Sequence, residues 1–142
     1  ILGECRTGVV GIGTRKSKIN DTIELLKKGQ CFITNGPLFY IQAISKKTYS
    51  MGTSIVGNLM KLKLILLSTE EVGNSGVIIV NTGIINEPEE TLIAEIAIDQ
   101  NFFTHSIKIE TNKSMYVRAE FEGNSYRGKR IAITNPIWIN PY

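Results

Sequence analysis

The sequence predicts a mainly β chain, an antiparallel β-sandwich of about seven to nine short strands preceded by one short α-helix. Three observations carry this. From Gln30 onward the apolar residues recur with a period of two. Gly, Asn and Pro clusters punctuate those runs at short intervals. No helix-length pattern interrupts them after Gly29, which argues against a parallel α/β sheet.

Residues 1–18 are Gly-rich and then basic. Gly8, Gly11 and Gly13, followed by Arg15, Lys16 and Ser17, fit neither the P-loop nor the dinucleotide spacing, so a linker is the better account. A helix follows over about Asp21 to Lys28. Asn20 or Asp21 can cap it, and Glu24 completes a capping box with Asp21. Ile19, Ile23 and Leu26 share one face, and this stripe is expected to stay only partly covered. Lys27 and Lys28 favour the negative end of the helix dipole, and Gly29 can take the positive φ that closes the helix.

Cys31 to Thr34 then forms a short strand that must stop at Asn35-Gly36-Pro37, because Pro37 fixes φ and lacks a donor. Leu38 to Ser45 is the next strand. The Leu59–Ser68 run alternates Met60, Leu62, Leu64 and Leu66 with Lys61, Lys63 and Ile65, as a half-buried strand does. Gly73 to Gly76 is a turn before the apolar run Val77–Val80, and Asn81-Thr82-Gly83 turns the chain again. Asn86-Glu87-Pro88 breaks it once more. Strands are expected around Leu92–Ile98, Ile107–Ile109, and Met115–Phe121, the last ending at the turn Gly123-Asn124-Ser125. Ile131–Thr134 and Ile137–Ile139 complete an immunoglobulin-like count.

At 142 residues the chain suits one sandwich, able to bury roughly 70% of its unfolded surface. Apolar content of 42% and charge of 20% exclude a disordered chain. A net charge of +3 is too mild to argue for nucleic acid. No apolar run approaches a membrane span, so neither nucleic acid nor membrane is an expected partner. Cys5 and Cys31 make no disulfide framework, and Cys31 reads as a small buried thiol. With no signal-peptide layout in view, a cytoplasmic setting is favoured, and Ile1 in place of an initiator Met suggests a piece of a longer protein.

Gly29-Gln30-Cys31-Phe32-Ile33-Thr34-Asn35-Gly36-Pro37 resembles the G-(R/K)-x-(F/Y)-(V/I)-T-N-G-P segment that follows the catalytic barrel in many PHP-type metal-dependent phosphoesterases. Ile133-Thr134-Asn135-Pro136-Ile137-Trp138-Ile139 is similar to the (F/I)-T-N-P-I-(Y/W)-(V/I) that closes such proteins. Between them, Met51-Gly52-Thr53 looks like an (I/M)-G-(D/T) turn, and Ser114–Ala119 looks like S-x-(W/Y)-(V/I)-R-(A/V). Val80-Asn81-Thr82-Gly83 is similar to V-x-N-G, with Thr82 inserted. Near the start, Cys5-Arg6-Thr7-Gly8-Val9 looks like the segment after the last barrel metal motif. The resemblance implies residues 1–29 as barrel tail, linker and helix, and residues 30–142 as a C-terminal β-sandwich. It implies divalent metals in the preceding barrel, which is the expected partner, and no cofactor in this chain.

The residues themselves show no catalytic or metal-ligand constellation. His105 shares the parity of Ile107 and Ile109, so it reads as a core or sheet-edge histidine. Glu70-Glu71 and Glu89-Glu90 read as solvated turn charges. Asn35, Gly36 and Pro37, with Asn135 and Pro136, read as turn motifs whose Asn side chains bond nearby backbone. Their two strands are expected to be neighbours, with both Asn at one rim. Arg127, Lys129 and Arg130 form the best candidate for an anion- or partner-contacting loop.

Two functions of different class compete. One is a non-catalytic accessory domain of a phosphoesterase, itself without enzyme activity. The other is a stand-alone immunoglobulin-like module that recognises protein or carbohydrate, for which Tyr49, Phe102 and Phe103 are the candidate platforms.

Overall fold

The computed structural model describes residues 6–9 and 19–142. Gly11, Gly13, Arg15, Lys16, Ser17 and Cys5 lie outside them. Among the described residues there are twelve strands and one helix. The chain is mainly β. The helix α1 (Ile19–Lys27) begins early enough to place Asn20 and Asp21 in its first turn instead of at its cap. Its end is as read. Gly29 has φ 68°, its N–H donates to Leu26 O at 3.0 Å, and the Gln30 N–H donates to Leu25 O at 2.9 Å. That pair of bonds satisfies the last carbonyls in a Schellman closure. No helix among the described residues is long and apolar enough to cross a membrane.

The strands are β1 (Arg6–Val9), β2 (Cys31–Thr34), β3 (Leu38–Ile44), β4 (Thr48–Ser50), β5 (Ser54–Val56) and β6 (Leu59–Leu67). There follow β7 (Ser75–Ile84), β8 (Glu90–Asp99), β9 (Phe102–Glu110), β10 (Met115–Ser125), β11 (Gly128–Thr134) and β12 (Ile137–Asn140). They form an eight-stranded sheet around β10 and a four-stranded sheet of order β4-β3-β6-β9. One flank of β10 is lined by β7 and then β8. The other is shared by β11, which leads on to β2 and β1, and β12, which leads on to β5. The segment before Gly29 therefore contributes a strand, β1, to the rim of the larger sheet.

Both sheets supply one apolar core. Phe39, Ile41, Leu64 and Leu66 come from the smaller sheet, and Ile78, Val117, Phe121 and Ile137 from the larger. The alternation read from the sequence is what makes this possible, since each strand presents every second residue inward.

Four expectations need correction. The sheets are not all antiparallel, because β5 runs parallel to β12 (Ile55 opposite Ile139), so the larger sheet is mixed. Asn81-Thr82-Gly83 is no turn. β7 runs through it because β10 pairs with it throughout, and the irregularity is a bulge against β8 at Val80/Asn81. β10 also continues through Gly123-Asn124-Ser125, and the chain reverses at Tyr126-Arg127, with Gly128 at φ 106°. The twelve strands exceed the expected count because β1, β4 and β5 are too short to show a period.

Candidate functional site

The segments around Asn35 and Asn135 are brought together by the ladder between β2 and β11, in which Ile33 faces Ile133. The pairing is antiparallel, so Asn35 lies beside Ile131 and Asn135 beside Cys31, at opposite ends of the ladder. The expectation of one shared rim is overturned by strand direction: four residues of strand separate the two Asn by about 13 Å. Their side chains also act across strands, not within their own turns. Asn35 Oδ1 accepts the Ile131 N–H at 2.7 Å, and its Nδ2 donates to Lys129 O at 3.2 Å. The side chain continues the ladder one rung beyond β2. Asn135 Nδ2 donates to Cys31 Sγ at 3.0 Å. Cys31 is thus a half-buried free thiol with a polar partner, not a plain apolar filler.

The two threonines divide the remaining work. Thr34 Oγ1 accepts the Gly36 N–H at 2.9 Å and donates to Pro37 O at 2.7 Å, which holds the turn itself. The buried Thr134 hydroxyl accepts the Ala119 N–H at 3.0 Å, in the gap between β11 and β12 where no strand faces that amide. At the Asn135 end a third segment joins. The Gly52 N–H donates to Pro136 O at 2.7 Å, and Gly52, at φ 77°, lies against the helix end. A Cβ there would come within 2.2 Å of Lys28 O and 2.5 Å of the Gly29 carbonyl carbon. Gly29, Met51-Gly52-Thr53 and Asn135-Pro136 therefore form one joint that fixes the C-terminal end of α1 to the sheets. Of the α1 stripe, Ile23 and Leu26 remain half open, 44% and 43% exposed, and the Ile19 side chain lies outside the described residues.

The three basic side chains of the hairpin point to separate partners. Arg130 is 8% exposed and turns inward. Its Nε donates to Ser125 Oγ at 2.9 Å and a terminal nitrogen donates to Asn35 O at 3.1 Å. Its aliphatic stem packs over Gly36 and Gly73, where a Cβ would come within 3.0 Å of it. Lys129 pairs with Glu122 at 3.0 Å. Arg127, at the tip, lies over the Tyr126 ring at 5.2 Å and donates to its hydroxyl. These three side chains have three separate jobs.

A cluster that the sequence reading did not identify lies on the outer face of the larger sheet. Arg118 makes a two-pronged contact with Glu90, Nε–Oε1 2.7 Å and Nη2–Oε2 2.6 Å, and also pairs with Glu120. Tyr116 donates to Glu90 Oε1 at 2.8 Å, and its ring stands edge-on to Trp138 at 5.4 Å. The ring lies over Gly83, where a Cβ would sit 2.4 Å from it, which is why glycine occupies that strand position. The hydrogen bond from Arg118 holds the Glu90 carboxyl below its ordinary range. The bond to Glu90 raises the Tyr116 hydroxyl and the Arg118 guanidinium above theirs. The outward parity of Tyr116, Arg118 and Glu120 was legible, but Glu90 comes from β8, and cross-strand partners carry no sequence signal. Further along the same face, Val77 and Ile79 floor an open groove of about 350 Å³, flanked by Glu95, Glu122 and Lys129.

His105 lies exposed on the edge strand β9, with its ring stacked on Phe103 at 6.0 Å. Phe102 is exposed, whereas Phe103 and Tyr49 pack partly into the core. Among the described residues no group of three or more His, Cys, Asp or Glu is placed to hold a metal ion. Comparison with protein-family models, with curated proteins and with solved structures returns no match to this chain.

Proposed function

We propose that this chain is a non-catalytic accessory domain, an immunoglobulin-like sandwich that follows a metal-dependent phosphoesterase barrel of the PHP type. The observation that carries the reading is the joint. Three of the segments on which the resemblance rests, around Gly29, Gly52 and Asn135-Pro136, meet there and clamp the helix that leads into the sheets. A joint of this kind sets the direction in which a preceding domain is held, and it uses its glycines and asparagines for geometry instead of chemistry. The half-open Ile23 and Leu26 then offer that domain an apolar contact.

The upstream reading frame tests this directly. It is expected to continue through Ile1 with an Asp-x-His pair shortly before it and a His-x-His near its start. A start codon immediately before Ile1 would overturn the reading. The purified chain, supplied with Mn²⁺ or Zn²⁺ and a generic phosphodiester, is expected to give no turnover, and hydrolysis above background would overturn the non-catalytic assignment.

The outer-face pair Tyr116 and Trp138, beside the Glu90–Arg118 network, favours a second reading as a stand-alone module that recognises carbohydrate or protein. Aromatic faces next to fixed polar groups are the usual makeup of such sites. Glycan-array binding that Trp138→Ala abolishes would favour it over the accessory domain.

A further inference from the structure

The outer face of the four-stranded sheet sorts its side chains by register. At one end Lys61 of β6 stands directly opposite Lys108 of β9, and Lys63 lies one outward row further along. Lys46 and Lys47 follow β3 in the hairpin just beyond Ile44, which pairs with Lys61. The strands and hairpin of this sheet carry one carboxylate, Glu110, and it pairs with Lys108 at 3.4 Å. Like charges set directly opposite on one face of a sheet destabilise it. Among the described residues neither Lys61 nor Lys63 has an ion-pair partner to offset this.

At the other end of the face, Leu38, Leu67 and Phe102 form one row across β3, β6 and β9. They are 40%, 43% and 56% exposed. Two outward rows lie between this apolar row and the Lys61–Lys108 pair. Three steps of about 7 Å span them, so both ends lie on one surface about 20 Å long.

We propose that this face docks on an anionic lipid membrane surface. A soluble polyanion would engage the lysines and leave Leu38, Leu67 and Phe102 in water. The headgroup and acyl boundary of an anionic bilayer takes both. Lysine stems suit it because a fluid headgroup layer asks for charge without fixed geometry. Single-stranded nucleic acid would ask for aromatic platforms between the charges, and the rows between them hold Gln42, Lys63 and Ser106, then Thr104, the half-buried Tyr40 and the buried Ile65. A missing spanning run, the ground for leaving a membrane out of the expected partners, does not bear on a face that lies against its surface. The proposal is independent of the accessory-domain reading.

The test is co-sedimentation of the chain with vesicles of phosphatidylserine and phosphatidylcholine, against phosphatidylcholine alone, with heparin and an oligonucleotide as soluble polyanions. Binding is expected only with the anionic vesicles, and it should fall as salt rises. The triple change Lys61→Gln, Lys63→Gln, Lys108→Gln is expected to lower the partition coefficient by about a hundredfold, at roughly fivefold per lysine near the surface. Phe102→Ser with the lysines intact should lower it by about tenfold through lost apolar burial. Circular dichroism matching the unaltered chain shows that the variants fold. Equal binding to neutral vesicles, binding to heparin or oligonucleotide without vesicles, binding to none, or full retention in the triple variant would each overturn the proposal.

Discussion

Replacing Asn35 and Asn135 with alanine separates two motifs that look alike in sequence. Asn35→Ala removes the acceptor of the half-buried Ile131 N–H and the donor to Lys129 O, bonds of 2.7 and 3.2 Å. Stranding one such donor and losing a second bond costs about 2 kcal/mol. Asn135→Ala loses a donor bond to a thiol, a weak acceptor, while its backbone bond to Cys31 O survives the substitution. That loss is worth about 0.5 kcal/mol. For a domain of this length the first change should lower the midpoint of thermal unfolding by about 6 °C and the second by less than about 2 °C. Urea unfolding followed by Trp138 fluorescence and circular dichroism measures both, and an unchanged slope identifies a pure stability effect. Asn35→Asp keeps the acceptor for Ile131 and loses the donor to Lys129, so it should fall between the unaltered chain and the alanine variant. Equal losses for the two alanine variants, or a larger loss at Asn135, would refute the argument that Asn35 extends the ladder.

Gly52→Ala puts a methyl within 2.2 Å of Lys28 O at a residue with φ 77°, and should cost more than about 3 kcal/mol in the same urea assay. Glu90→Gln should flatten the acid side of the stability–pH curve. The folded Glu90 pKa lies below the unfolded one, so its contribution is complete above the unfolded value and is lost as pH falls through the folded one. The two curves should therefore converge only below the ordinary carboxylate range, and convergence at higher pH would contradict the Arg118 bond as the cause. Arg130→Ala should cost about 3 kcal/mol by leaving Asn35 O unpaired and a void over Gly36 and Gly73. Arg127→Ala, at an exposed tip, should stay within about 0.5 kcal/mol in thermal unfolding.

Period and punctuation were enough to read β3, β6, β9, β10 and the helix end, because alternation and a C-terminal glycine are local properties. What sequence could not supply was pairing. Asn81-Thr82-Gly83 has turn chemistry, yet two neighbouring strands hold it extended, and Gly83 serves the ring of Tyr116 instead of a reversal. Arg127, Lys129 and Arg130 are close in sequence and look like one patch. Arg130 alternates with Lys129 to the opposite face of β11, so parity alone splits them, and the loop of Gly73 that receives Arg130 is far away in the chain. The two Thr-Asn motifs look alike in sequence. Their roles differ because Thr34 precedes a reversal, whereas Thr134 fills a gap between two strands sharing one flank of β10.

The mild net charge conceals a division that only the topology makes visible. Strands β7, β8, β10 and β11 of the larger sheet carry Glu90, Glu95, Asp99, Glu120 and Glu122 against Arg118, Lys129 and Arg130. Of those three cations, Arg118 and Lys129 are spent on carboxylates and Arg130 is buried. The smaller sheet and its hairpin present Lys46, Lys47, Lys61, Lys63 and Lys108 against Glu110 alone. Because the two sheets share one core, their outer faces point away from each other, and the charges form a dipole across the two sheets. A sum over the sequence cancels this dipole, while an approaching anionic surface does not. At short range it meets the lysine face first and repels the carboxylate face, so the domain would be turned before it touches. Orientation is then salt-dependent, since the two faces are separated by about the 10 Å spacing of packed sheets, comparable with the screening length at physiological ionic strength.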